Sequence, residues 1–200
     1  MKRAIGFTFI ALVAVAVIGG TVWSSSAATA RDKIFVFVDP VPFDCNEDIV
    51  SIAPFDENGV SVPVIDVSEP FDCTLRFHIR NDNDFDVSVT EVTLPNYGIG
   101  FASSPVATAI DSTPITYADE WELDAVVQFG DHFMLPANDY YTLEVQLEQS
   151  PGSCMSGGGM AWSEQGPILE ASIYGISEAI ESPTSPFGVI GTATQGCPRD

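Results

Sequence analysis

The strongest constraint on the fold is a strict alternation of apolar and polar residues that begins at Cys73. Leu75, Phe77 and Ile79 are separated by polar residues, and a second apolar set follows the turn at residues 81–86. Successive side chains of a strand point to opposite faces, so this spacing predicts a strand with one buried face. Asn and Asp favour turns because their short side chains hydrogen-bond nearby backbone groups. The stretch therefore predicts a β-hairpin around an acidic turn.

The strand after this turn changes phase partway along its length. Val87 and Val89 share one face, but the next apolar residues, Val92 and Leu94, are out of phase with them. An extra residue in one strand of an antiparallel pair produces such a shift, so we expect a β-bulge near residues 90–91.

Further short strand patterns follow, with no long helical period after residue 30. The clearest is residues 140–149, in which apolar and polar side chains alternate. Residues 117–129 also alternate, although their acidic start is compatible with a short helix. Pro63 cannot donate to a ladder and predicts an edge strand at residues 60–67. The other strands are expected at residues 33–38, 169–176 and 186–192. Short strands separated by turns predict an all-β, antiparallel β-sandwich.

Two turns in this pattern carry a resemblance to known families. The strand, the turn N-D-N-D-F and the strand that ends in Leu94-Pro95 resemble the early hairpin of bacterial secreted immunoglobulin-like β-sandwich domains. The turn is also similar to the N-P-N-x-F turn of water-stress domains, with Asp82 in place of Pro. Leu135-Pro136, followed by Asn138 where Gly is usual, resembles the L-P-x-G-x turn of such domains. The resemblance implies an immunoglobulin-like fold and transfers no catalytic residue.

Residues 1–30 have the layout of a secretory signal peptide. A basic pair at residues 2–3 precedes an almost wholly apolar run at residues 5–18, and an A-x-A site ends at Ala30. We therefore expect a signal helix that is cleaved after Ala30. A single immunoglobulin-like domain of residues 31–200 would remain, and 170 residues can bury a substantial core.

The same N-terminal segment permits a second interpretation. GFTFIALVAVAVIGG, which starts at Gly6, resembles the start of type IV pilins, in which cleavage follows the Gly. Ala11 stands where that pattern has Glu, and residues 24–26 and the A-x-A site interrupt the helix that a pilin would continue. The signal peptide is therefore the favoured interpretation. If the segment is not cleaved, it is the only part of the chain expected to contact a membrane.

The charge of the chain excludes two classes of partner. The formal net charge is −21, and because Lys2 and Arg3 are the only charged residues before Arg31, it becomes −23 without residues 1–30. Nucleic acids and anionic membrane surfaces both need positive charge on their partner, so neither is expected. An excess of acid with a single Lys after residue 30 indicates adaptation to salt.

The four cysteines predict two disulfides. An exported chain forms disulfides, and four cysteines allow three connectivities. We favour the pairs that are neighbours in sequence, Cys45–Cys73 and Cys154–Cys197. A structural zinc site is the alternative, but the chain has no C-x-x-C spacing to support it.

Two charged groups are candidates for binding. Arg76, His78 and Arg80 lie on one face of a strand, where they could bind an anion; pairing with Glu144 and Glu148 on the neighbouring strand is the preferred interpretation. The acidic turn has D-x-D-x-D spacing, which can gather oxygens around Ca²⁺ but lacks the Gly and Glu of an EF-hand. The default is a solvated acidic turn, and a looser calcium site is the alternative; the residues concerned are Asp82, Asp84 and Asp86.

The resulting functional prediction is a protein without enzymatic activity, secreted or at the cell envelope. It would bind an unknown protein or glycan at the cell surface or serve a structural role, with no cofactor unless the acidic turn holds Ca²⁺. One alternative is a pilin-like or membrane-anchored filament subunit. The other is a secreted hydrolase that uses carboxylates. No G-x-S-x-G, H-E-x-x-H or P-loop motif supports catalysis, and a carboxylate pair is recognised only by its separation in space.

Overall fold

The computed structural model describes residues 20–45, 49–54, 61–67, 71–100, 105–149, 160–163, 165–182 and 187–191. Within these ranges the chain forms one helix, α1 (residues 20–31), and strands arranged in three sheets. Within the described ranges, no helix has the length and apolar character needed to cross a membrane.

The first sheet, called the front sheet below, has five strands and only antiparallel pairings. In spatial order it consists of β1 (Ile34–Cys45), β4 (Asp72–Asn81), β9 (Asp139–Gln149), β6 (Pro105–Ile110) and β7 (Thr113–Pro114). The clearest sequence prediction, a strand at residues 140–149, is confirmed by β9. The first strand begins near its predicted start but continues seven residues further, to Cys45.

The second large sheet, the back sheet, has four antiparallel strands. In spatial order it consists of β12 (Ile176–Glu181), β11 (Ile168–Ile173), β5 (Val87–Leu94) and β8 (Ala125–Leu135). The ambiguous residues 117–129 divide into a loop and the start of β8. The expected bulge in β5 is confirmed, since its register with β8 shifts between Val89 and Glu91.

The front and back sheets form a β-sandwich around one hydrophobic core. The side chains that alternation predicts to face inward are each no more than 1% exposed: Leu75, Phe77, Ile79, Val87, Val89, Val92, Leu94, Leu143, Val145 and Leu147. Burial of apolar surface is the main favourable contribution to folding, so these two faces hold the sandwich together. The predicted all-β sandwich fold is confirmed.

The predicted hairpin around residues 81–86 is wrong. Strand β4 pairs with β1 and β9 in the front sheet, whereas β5 pairs with β8 and β11 in the back sheet. The turn therefore crosses from one sheet to the other. Both strands carry a fully buried apolar face, and these faces meet across the core rather than side by side in one sheet.

A third sheet, the side sheet, was not anticipated from the sequence. Its spatial order is β10 (Met160–Ser163), β13 (Phe187–Ile190), β3 (Ser61–Asp66) and β2 (Val50–Pro54), and β13 pairs with β3 in parallel. The prediction that Pro63 marks an edge strand is wrong, since β3 lies between two neighbours. The sheet tolerates this proline because pairing with β13 begins at Val64, one residue after it.

Candidate binding surface

The outer face of the front sheet collects polar and aromatic side chains along three neighbouring strands. Because Leu75, Phe77 and Ile79 of β4 point into the core, Arg76 and His78 of the same strand point outward. Strands β1 and β9 flank β4, so their outward side chains extend this face on both sides. We call this the front face.

Arg76 forms an ion-pair group that spans three strands of the front face. Its guanidinium donates to Glu144 Oε1 of β9 at 3.0 Å and to Asp44 Oδ2 of β1 at 3.0 Å. These hydrogen bonds, first that to Glu144 and then that to Asp44, raise the pKa of Arg76. The predicted pairing of Arg76 with Glu144 across β4 and β9 is confirmed. One arginine thus ties together the three strands that form the face.

Arg80 does not pair with Glu148, contrary to the sequence prediction. In an antiparallel register, four residues forward along β4 are four residues back along β9, so Arg80 lies opposite Tyr140. Glu148 is at the other end, opposite Asp72. Arg80 instead donates two hydrogen bonds of 2.6 Å to Asp82. That pairing lowers the pKa of the Asp82 carboxyl.

His78 occupies the middle of the front face between two oxygen atoms. Its Nδ1 lies 3.0 Å from Thr142 Oγ1, and its Nε2 lies 3.1 Å from Asp39 Oδ2. A carboxylate only accepts, so a neutral imidazole here carries its proton on Nε2, and the Thr142 hydroxyl donates to Nδ1. The ring of Phe37 packs beside the imidazole with centroids 5.2 Å apart. These contacts hold the histidine ring in one orientation.

Three aromatic rings remain exposed on the front face. Phe35 and Phe37 of β1 are 48% and 43% exposed, and Tyr140 of β9 is 66% exposed. Phe35, Arg80 and Tyr140 are in register across three strands. Strands are about 4.8 Å apart, and residues on one face are about 6.7 Å apart along a strand. The Cα atoms of the three aromatic residues are therefore about 7–12 Å from one another. Large exposed rings grouped on one face of a sheet indicate a contact surface.

The acidic turn does not bring its three carboxylates together. Asp82 pairs with Arg80, Asp86 Oδ1 accepts the backbone N–H of Ala137 at 2.9 Å, and Asp84 is exposed. Over the described ranges no group of three or more Asp, Glu, His or Cys side chains could hold a metal ion. Calcium binding by this turn stays a prediction that the geometry does not support.

The two asparagines of the turn have a role that sequence reasoning missed. Asn81 and Asn83 are the buried polar side chains of the described core. Asn81 Nδ2 donates to the carbonyls of Phe85, Leu135 and Pro136 at 3.0–3.1 Å, and its Oδ1 accepts from Asn83. The signal was present in the sequence. Asn81 continues the inward series of β4, so alternation alone directs its side chain into the core.

The cysteine prediction is confirmed for one pair. Cys45 and Cys73 form a disulfide between directly opposed residues of β1 and β4. This bond closes the end of the front sheet at its edge strand. Cys154 and Cys197 lie outside the described residues, so their pairing stays a prediction.

The predicted cleavage site lies in the last turn of α1. Ala30 is 5% exposed and belongs to the hydrophobic core together with Ala27. The Ala30 carbonyl accepts hydrogen bonds from Lys33 N and from Asn83 Nδ2, the latter at 2.9 Å. Cleavage after Ala30 stays a prediction.

Comparison with known proteins identifies neither a family nor a function for the chain. No family model and no curated protein matches the chain. Among solved structures it is similar to the cupredoxin domain of amoB from Nitrosocaldus yellowstonii, with 13% sequence identity and a TM-score of 0.27. The match covers 64% of this chain and 60% of that one, which is less than two thirds of either. The resemblance to bacterial secreted immunoglobulin-like domains stays a prediction beyond the shared β-sandwich.

Proposed function

We propose that this protein is an extracytoplasmic binding module without enzymatic activity, and that its front face binds a neutral glycan. The observation that carries the proposal is the grouping of Phe35, Phe37 and Tyr140 as exposed rings on one face of the front sheet. The Cys45–Cys73 disulfide supports a location outside the cytoplasm, where such bonds persist.

The charges of the front face favour a neutral ligand over a charged one. Arg76 and Arg80 are each engaged by carboxylates, and Asp39 faces His78. Both arginines in the described part of the front face are thus paired, and the overall charge of −21 repels a polyanion. A sugar presents an apolar C–H face to an aromatic ring and hydroxyls to neighbouring charged groups. Alternating rings and polar side chains match both requirements.

The proposal is tested with three insoluble neutral probes: chitin, cellulose and curdlan. We expect the protein to co-sediment with at least one of them. Interface anchors contribute about 1 kcal/mol or more each, so the double variant Phe35→Ala/Tyr140→Ala should bind roughly tenfold or more weakly. The matched control is Val126→Ala/Met134→Ala, which removes exposed apolar side chains of the back sheet. Absence of binding to all three probes, or equal losses in both double variants, would contradict the proposal.

The rival hydrolase has one geometric feature in its favour, the hydrogen-bonded series Thr142–His78–Asp39. A hydroxyl, an imidazole and a carboxylate in this order can activate a nucleophile. On the front face, however, this series lies on an open sheet, and Phe37 covers one side of the imidazole. We expect no release of reducing sugar from the three probes and no ester hydrolysis. Turnover that His78→Gln abolishes would instead establish the hydrolase.

A further inference from the structure

Helix α1 contributes to the core of the sandwich through its last two turns. Ala27 is fully buried and Ala30 nearly so. Asn83 Nδ2 donates to the Ala30 carbonyl, which also accepts from Lys33 N just after the helix. Arg31 Nη1 lies 3.4 Å from Glu178 Oε2 of β12. Helix α1 is thus packed against the end of the sandwich where β4 ends and β5 begins.

The first half of α1 has the opposite character. Residues 20–26 are all exposed, including Val22 and Trp23. Trp23 is 58% exposed, yet its indole Nε1 donates to the Tyr174 carbonyl at 3.0 Å. Tyr174 is 49% exposed, and its ring packs against Phe85 with centroids 4.9 Å apart. An aromatic group formed by Trp23, Tyr174 and Phe85 therefore lies at this end of the sandwich; we call it the aromatic end.

The backbone at Tyr174 is strained. The connection between β11 and β12 consists of Tyr174 and Gly175, both with positive φ, at 52° and 78°. A two-residue turn of this kind favours Asn-Gly or Asp-Gly, and a bulky residue with positive φ is an outlier. Such a conformation persists only where the surrounding contacts hold it in place. This turn presents the Tyr174 carbonyl to Trp23 Nε1 and the Tyr174 ring to Phe85.

The sequence before α1 is suited to a bilayer. From Ala4 to Ala30 the chain has no charged residue. If glycine is counted as apolar, Thr8 and Thr21 are the only polar residues between positions 4 and 23. About 20 such residues are enough for a helix to span the hydrocarbon core. Trp23 stands at the end of this stretch, and Trp and Tyr are enriched where a membrane meets water. Lys2 and Arg3 stand at its other end, as the positive-inside rule requires for an external domain.

We propose that residues 20–31 stay attached to the sandwich in the finished protein, and that the aromatic end rests on a lipid bilayer entered by residues 4–23. This goes beyond the proposed glycan binding, which concerns another surface. It also opposes cleavage after Ala30. Such cleavage would remove Ala27 and Ala30 from the core, and the Asn83 amide would keep Asn81 Oδ1 as an acceptor but lose the Ala30 carbonyl. Cleavage near Gly6, as in pilins, would leave these contacts intact.

The first experiment determines the N-terminus and location of the protein expressed from its full sequence in a bacterial host. We expect an intact mass that includes Ala27 and Ala30, and a protein that stays with the membrane in alkaline carbonate and leaves it in detergent. A mature chain that starts at Arg31 would overturn the proposal, as would recovery in the carbonate supernatant. Neither result depends on binding to polysaccharide, so this test and the glycan test fail separately.

The second experiment tests contact between the aromatic end and the bilayer. The full-length Trp121→Phe/Trp162→Phe variant, which keeps Trp23, is reconstituted in phosphatidylcholine vesicles with or without bromine on the acyl chains. We expect bromine to lower the Trp23 fluorescence about twofold, because the indole lies at the interface. The control variant is Trp23→Phe/Trp162→Phe, which keeps Trp121. This tryptophan is 75% exposed and lies in the loop before β8, at the far end of the sandwich. Equal quenching of both tryptophans, or none of Trp23, would contradict the proposed contact.

Discussion

Tyr97 shows at the scale of one residue that burial and hydrogen bonding are not always matched. Its side chain is 2% exposed, and its hydroxyl has no hydrogen-bond partner among the described residues. Burial alone raises the pKa of this phenol well above its ordinary value. The backbone carbonyl of the same residue, by contrast, accepts hydrogen bonds from Ala107 N and the Tyr117 hydroxyl. The Tyr97 hydroxyl is therefore a buried polar group without compensation.

Tyr97→Phe should stabilise the protein. The substitution removes a hydroxyl whose burial without a partner costs about 1 kcal/mol or more, and it keeps the ring that packs against Phe187. We expect the free energy of unfolding in urea to rise by about 1 kcal/mol. The control is Tyr117→Phe, which removes a hydroxyl that donates to the Ala107 carbonyl at 2.6 Å and should destabilise. A loss of stability in Tyr97→Phe would mean that this hydroxyl does have a partner.

Asn81→Ala should destabilise strongly. The change leaves the carbonyls of Phe85, Leu135 and Pro136 without the amide that now donates to them. Each unsatisfied buried group costs about 1–3 kcal/mol, and water can reach part of this site, so we expect a loss of roughly 2–4 kcal/mol. The measurement is the urea midpoint, with exposed Asp84→Ala as control. If the two variants lose the same small amount, the asparagine does not join the sheets.

Asp111 provides the pH dependence at the residue scale. It is half-buried, and burial raises the pKa of its carboxyl despite hydrogen bonds from Glu144 N and the Tyr141 hydroxyl. A raised pKa in the folded state favours folding below the unfolded pKa, and this contribution is lost as pH rises through the folded pKa. At neutral pH the ionised carboxylate therefore costs stability.

We expect Asp111→Asn to stabilise the protein at pH 7 and to lose this advantage as the pH is lowered towards 3. Asn also suits the positive φ of 47° at this position, and its Oδ1 can still accept from Glu144 N. Unfolding midpoints of both proteins across this pH range provide the measurement. An advantage that grows on acidification would show that the sign is wrong.

The edge strand β1 is the element that depends most on a single covalent bond. It pairs with β4 at residues 34–38 and 43–45, with a register break between Val38 and Phe43. The Cys45–Cys73 disulfide secures the second of these parts. Edge strands with few ladder bonds separate readily from a sheet, so the disulfide keeps the front face complete.

Removing this disulfide should destabilise the protein by about 3–4 kcal/mol, from the loop-closure entropy of its 28-residue separation. The double variant Cys45→Ala/Cys73→Ala isolates this pair from Cys154 and Cys197. Its urea midpoint is compared with that of Thr74→Ala, a change beside Cys73 that leaves the disulfide in place. Equal midpoints would mean that β1 is held by the ladder alone.

At the scale of elements, alternation was a sufficient guide to individual strands but not to their partners. The period of two fixed the buried faces of β4 and β9, and the phase change at Thr90 located the bulge. Which strands pair depends on contacts distant in sequence, and a buried apolar face is the same whether its partner lies beside it or across the core. The turn at residues 81–86 was therefore assigned to a hairpin. The side sheet could not be predicted for a related reason: the parallel pairing of β3 and β13 leaves no local signal in the sequence.

Only part of the candidate surface could be predicted from the sequence, for the same reason. The outward arginines and histidine of β4 followed from alternation, and so did the pairing of Arg76 with Glu144. Phe35, Phe37 and Tyr140 were not recognised, because whether an aromatic side chain of a strand is exposed depends on what covers that face. Asn81 is not predicted from residue type, because Asn is mostly exposed in proteins; its position in the alternating series alone indicates burial.

The whole molecule is dominated by its negative charge. Arg31, Arg76 and Arg80 are ion-paired, but 28 Asp and Glu face seven Lys and Arg in the full chain. Such a surplus destabilises the compact state by self-repulsion. Salt screens the repulsion between exposed charges that are more than about 10 Å apart at 0.1 M, and this distance becomes shorter as the salt concentration rises. Salt also weakens the few exposed ion pairs, but these contribute little to the free energy of unfolding.

Raising NaCl from 0.05 to about 0.5 M should therefore raise the melting temperature, with each 1 kcal/mol gained appearing as about 2–4 °C. The control is Glu120→Lys, which changes an exposed residue and reduces the net charge by two. Its melting temperature should be higher at low salt and should respond less to added salt. A melting temperature that falls with salt in both proteins would show that specific ion pairs outweigh general repulsion.

The contact between Trp23 and Tyr174 joins residues 151 positions apart, and Arg31 reaches Glu178 across almost as many. A chain exported from its N-terminus delivers α1 first and the turn that receives it close to last. During export the sandwich does not yet exist, so it cannot shield Ala30 from a peptidase. If the protein is exported, residues 20–31 would be kept or removed before the contacts of Ala27 and Ala30 with the sandwich can form.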